Sequence, residues 1–145
     1  MKKGIILIFS FAFGILLILS VIGCDVKMSP IESEDKARKF VGDWKNEDPD
    51  TDHITKAKIE LNSDIISVYL WGKCLPVDCD WGVNTTNVSD ADDEVLSLTW
   101  NQGFAIITQE ITLTPNKRLK INDHEHFIDN SGRKDFDRVC LFIKQ

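Results

Sequence analysis

The chain has 145 residues, 43% of them hydrophobic, with 17 basic and 23 acidic residues and a formal net charge of −6. That length fits one domain with its own core. The acidic balance argues against nucleic acid as a partner and against electrostatic docking on anionic lipid.

The chain opens on Met1-Lys2-Lys3, a short basic region, followed by residues 4–23, which carry no charge. Positive charge, then an apolar run, then a small residue is the layout of a secretory signal. The run also has the length to cross a bilayer as an uncleaved helix, and cleavage by a different peptidase would release a soluble product. The end of the run favours lipidation over both. Val21-Ile22-Gly23-Cys24 resembles the lipobox of bacterial lipoproteins: an aliphatic residue, a tolerant position, a small residue and the acylated cysteine. The resemblance implies removal of residues 1–23 as a signal peptide and lipid attachment, palmitate included, at Cys24. The product would sit in the cell envelope, on a membrane and outside the cytoplasm. Two acyl chains anchor stably where one binds marginally. Asp25 resembles the inner-membrane retention signal of some Gram-negative lipoproteins.

The first 23 residues hold two of the basic residues and none of the acids, so residues 24–145 carry fifteen basic against twenty-three acidic residues, a net of −8. Residues 24–37 are mostly polar with one proline and read as a tether. Residues 38–145 then form a single domain, and 34–41 (EDKARKFV) suggest a short helical lead-in. Export permits disulfides. With Cys24 taken by lipid, a bridge between Cys74 and Cys79 closing the CLPVDC loop is expected. Cys140 is then a buried thiol in VCLFI, although a pairing to Cys140 stays open.

From residue 41 onward the pattern is β. VGDWKN (41–46) reads as the first strand. Thr55, Ala57, Ile59 and Leu61 alternate with Lys56, Lys58 and Glu60, a period of two with one dry and one wet face. Asn62-Ser63-Asp64 turns the chain into IISVYLW (65–71), and WGVNTTNV (81–88) follows the cysteine loop. Leu96, Leu98 and Trp100 alternate with Ser97 and Thr99. Turns at 101–103, 115–117 and 129–132 separate FAIITQEITLT (104–114), RLKINDHEHFI (118–128) and FDRVCLFI (136–143). These eight strands are joined by short connections, which force antiparallel neighbours. The expected fold is an eight-stranded up-and-down barrel, with a β-sandwich as the alternative.

Gly42-Asp43-Trp44 after a helical lead-in resembles the Gly-x-Trp motif on the first strand of lipocalins and related calycin barrels. That resemblance implies that Trp44 closes one barrel end and that a late arginine, here Arg138, packs on its ring. Both are expected to be structural. Trp71-Gly72-Lys73-Cys74, Pro76 and Asp78-Cys79-Asp80-Trp81-Gly82 resemble a pattern in small secreted bacterial domains of unassigned function, as do Asn46, Asp48, Thr55 and residues 127–136.

Asp123-His124-Glu125-His126 is the segment richest in chemistry. In a strand, residues two apart share a face, so His124 and His126 point one way and Asp123 and Glu125 the other. With Leu119 and Ile121 facing the core, both carboxylates should point into the barrel, unless a bulge flips the register. Two such histidines could bind zinc if His53 supplied a third ligand, but a solvated edge is the expected reading, with no metal and no cofactor. Asp78 and Asp80 are too few for a calcium loop and fit turn chemistry. No nucleophile elbow or other catalytic context is present, so an enzyme is the least supported class. Two functions remain. One is binding of a small, partly apolar ligand at Asp123, Glu125 and Trp100. The other is a protein-interaction or hydrolase-inhibitor module acting through its loops. A cavity at those three residues favours the first; a filled barrel with a conspicuous loop around 72–82 favours the second.

Overall fold

The structure, a computed structural model, describes residues 30–91 and 94–145. The expected signal segment, Cys24 and the first part of the expected tether lie outside them. A helix, α1 (Pro30–Arg38), leads into eight strands: β1 (Gly42–Asn46), β2 (Ile54–Asn62), β3 (Ile65–Gly72), β4 (Cys79–Asn87), β5 (Val95–Asn101), β6 (Ala105–Leu113), β7 (Leu119–Phe127) and β8 (Phe136–Lys144). The helix crosses the expected boundary at 37/38, starting at Pro30, a residue whose fixed φ suits a first helical turn. Ala37 is buried in the core, so the end of the expected tether belongs to the domain.

The strands form one sheet in the order β4-β3-β2-β1-β8-β7-β6-β5, all neighbours antiparallel. The sheet curls into a nearly closed barrel, with the seam between β4 and β5. There the Asn84 side-chain amide donates to the Thr99 carbonyl at 2.6 Å in place of a backbone ladder. The up-and-down barrel is thus the observed architecture, rather than the sandwich.

Alternation builds the core. Ile66, Val68 and Leu70 of β3, Leu96 and Leu98 of β5, Ile107 and Ile111 of β6, and Leu119 and Ile121 of β7 are all buried. Because consecutive strands reverse, the connections sort to two ends. α1, the turn at 63–64, the segment 88–91 and the turn at 114–118 lie at one end. The segments 47–53, 73–78, 102–104 and 128–135 lie at the other. The first end is closed by Phe40 and Trp44, 1% and 2% exposed, and the Trp44 indole N–H donates to the Phe40 carbonyl at 2.9 Å.

The cation on Trp44 is Lys144, whose ammonium lies 5.5 Å from the ring centroid, not the expected Arg138. Trp44 and Lys144 face each other in the β1–β8 register. Arg138 stands six residues back along β8, about 20 Å away at a strand's rise per residue, too far to reach. Its guanidinium instead bonds Asp52 in the 47–53 segment and lies 5.3 Å from the Phe136 ring.

Candidate functional site

The loop end of the barrel holds the residues that the alternation of β7 singles out. Asp123 and Glu125 point inward as expected, 3% and 7% exposed, because their strand keeps its register with both neighbours. The Asp123 carboxylate meets His53, with Nε2 and Oδ2 2.5 Å apart. A buried carboxylate needs such a partner, since an unpaired charge inside a core is costly. His53 therefore cannot join His124 and His126, which lie on the outer face of the same sheet. Among the described residues, no cluster of three or more potential ligands is placed to hold a metal ion.

Trp100 is brought to the same end. Its indole N–H donates to Gln109 Oε1 at 2.6 Å, and its ring meets Trp81 edge-on with centroids 6.3 Å apart. Trp81 in turn meets His53 edge-on at 5.3 Å. The indole of Trp81 lies against the backbone of Gly72, where a Cβ would come within 2.4 Å of it, so position 72 has to be glycine for the ring to turn inward. This site contains three residues beyond the expected Asp123, Glu125 and Trp100: His53, Gln109 and Trp81. Gln109 was legible, as the one polar residue in the inward series Ala105, Ile107, Gln109, Ile111. Trp81 was not, because a register shift between Leu70 and Trp71 changes which side chains of β4 turn in.

The side chains of His53, Trp81, Trp100, Gln109 and Asp123 thus meet at this end of the interior. Asp123 and Gln109 face each other in the β6–β7 ladder. Asp123 Oδ1 and Gln109 Nε2 are both buried without a hydrogen-bond partner, an acceptor beside a donor. Three grooves of about 580, 570 and 430 Å³ lie along β5–β8, between segment 47–52 and β8, and around Trp44 and Trp71. The first is lined in part by Gln109 and Asp123, while none of the three includes Trp100 or Glu125. Cys140 is a free, buried thiol. Burial, reinforced by the nearby Asp123 carboxylate, pushes its pKa up to about 11, which leaves it a poor nucleophile.

The other conspicuous feature of this end is the β3–β4 loop. Cys74 and Cys79 form a disulfide with Cα atoms 5.4 Å apart. Between them Leu75 and Val77 are 88% and 73% exposed, on either side of Pro76, which follows a cis peptide bond. The loop is moored at both flanks. The Lys73 N–H donates to the His53 carbonyl at 2.7 Å, and the Thr55 hydroxyl donates to Asp78 Oδ2 at 2.8 Å. Asp80 Oδ1 accepts from the Gly82 N–H at 2.7 Å, so both aspartates serve the turn. The neighbouring segment 47–52 places Asp48, Asp50 and Asp52 in solvent.

No protein-family model, curated protein or solved structure matches the chain.

Proposed function

We propose that the chain is an envelope lipoprotein, anchored through Cys24, whose barrel presents the Cys74–Cys79 loop to a protein partner in the manner of a hydrolase inhibitor. The observation that carries this reading is the exposure of Leu75 and Val77 inside a disulfide-closed, twice-moored loop. Two apolar side chains held in water contribute little to folding. Burying such a side chain fully is worth about 1.5–3 kcal/mol, and that gain is available only to a complex. Closing the loop lowers the ordering cost of binding. A convex apolar tip beside an acidic segment fits an apolar cleft on a cationic protein, since opposite potentials speed and orient docking.

The test uses the full chain in nonionic detergent against a panel of cationic secreted hydrolases, followed by biolayer interferometry and residual activity. The expected result is saturable binding by at least one enzyme, weakened tenfold or more in Leu75→Ser/Val77→Ser. Binding that ignores the double substitution, or no binding across the panel, overturns the reading.

The second reading, a small and partly apolar ligand at Asp123, Glu125 and Trp100, draws on the paired orphan atoms of Asp123 and Gln109. Native mass spectrometry of the detergent-purified chain tests it: a co-purified small molecule supports it, and a spectrum of bare protein counts against it.

A further inference from the structure

On the outer face of β7, His124 and His126 stand side by side, His124 held by Asp137 at the start of β8 and His126 by Asp135 just before it. His124 Nδ1 lies 2.7 Å from Asp137 Oδ1, and His126 Nδ1 lies 2.7 Å from Asp135 Oδ2. A carboxylate can only accept, so in each neutral ring the proton sits on Nδ1 and the Nε2 lone pair is left free. Asp135 is itself fixed, its Oδ1 accepting from the Phe127 backbone N–H at 3.2 Å. Both imidazoles reach water, 52% and 57% exposed. Residues two apart on a strand place their Cβ atoms about 6.7 Å apart on one face, a span that two imidazoles can close onto one ion with nitrogen–metal distances of about 2.0–2.1 Å.

We propose that His124 and His126 form a surface site for a divalent transition ion that favours imidazole, such as zinc, bound through both Nε2 atoms, with Asp137 and Asp135 as positioning residues. A carboxylate behind a ligating histidine fixes the tautomer and raises the basicity of the metal-facing nitrogen. Both halves of this arrangement are already in place without metal. No third protein ligand joins them among the described residues, so water or a group from another molecule fills the remaining positions. The site is distinct from the Cys74–Cys79 loop, and its failure would leave the proposed function untouched.

The experiment titrates ZnCl₂ into the full chain, purified without a polyhistidine tag in nonionic detergent, by isothermal calorimetry near pH 7.5. NMR of the histidine side chains follows in parallel. One zinc per chain is expected, with the His124 and His126 Nε2 resonances shifting. Affinity should fall at least tenfold in His124→Ala and in His126→Ala, and about tenfold in Asp137→Asn, the lower end of what outer carboxylates confer. Thermal scans of each variant check that the fold is retained. Absence of saturable binding, binding unchanged in the double histidine variant, or competition by calcium at equal concentration overturns the proposal. The last result would place the ion on carboxylates.

Discussion

Opening the Cys74–Cys79 ring should loosen one loop and leave the barrel standing, and the size of the effect follows from the ring. The cross-link spans a sequence separation of five, so on the loop-closure account it restricts the unfolded chain by about 2 kcal/mol. A domain of about 110 residues unfolds with an entropy near 0.23 kcal/mol/K, so Cys74→Ser/Cys79→Ser should lower Tm by about 9 °C. The mooring bonds from Lys73 to His53 and from Thr55 to Asp78 remain, so faster amide exchange should be confined to residues 74–80. Partner binding should weaken as well, since two side chains would now be ordered on docking at about 0.5–1.5 kcal/mol each, a loss of roughly 5- to 150-fold. Circular dichroism, hydrogen exchange and interferometry give the three readings. A Tm change below about 2 °C would refute the ring as the source of stability. Faster exchange across β2 and β3 would show the bridge supporting the sheet rather than the loop.

Three other outcomes are expected. Leu75→Ser/Val77→Ser should change unfolding free energy by no more than about 0.5 kcal/mol in denaturant titrations, because surface substitutions free of special contacts rarely do more. Cys140 should resist iodoacetamide in the native chain at pH 8, where a thiol with a pKa of about 11 is thiolate in about one molecule per thousand, and should react once the chain is unfolded. Asp129 is lowered to about 2, chiefly by the Ser131 side chain, then by the Ser131 N–H and Arg133. Its folded pKa lies below its unfolded value, so its contribution is present above about pH 4 and lost as pH falls towards about 2. The Tm gap between wild type and Asp129→Asn should therefore close across that window.

Strand number and direction were legible because one face of each strand had to be dry. The series Leu119, Ile121, Asp123, Glu125 carried its own register, and the two acids pointed inward because they shared a face with two residues that could not be in water. What escaped the sequence was set by pairing at a distance. Arg138 and Lys144 both lie late in the chain, and only the β1–β8 register decides which of them reaches Trp44. His53 comes from a segment with no periodicity, yet it supplies the partner that the buried Asp123 requires. Trp81 turns in only because the shift in β4 and the bare backbone of Gly72 make room for it.

The reversal of each strand on the last has a consequence for distance. The chain enters the barrel through α1 at one end, while Leu75 and Val77 sit at the other. Strands of nine residues measure about 30 Å, and a barrel tilt near 40° turns that into a height of about 23 Å. A chain anchored at Cys24 would thus carry its apolar loop on the far side of its own barrel, above the lipid headgroups. On the proposed anchoring, the tip that could otherwise dip into the bilayer would face away from the lipid.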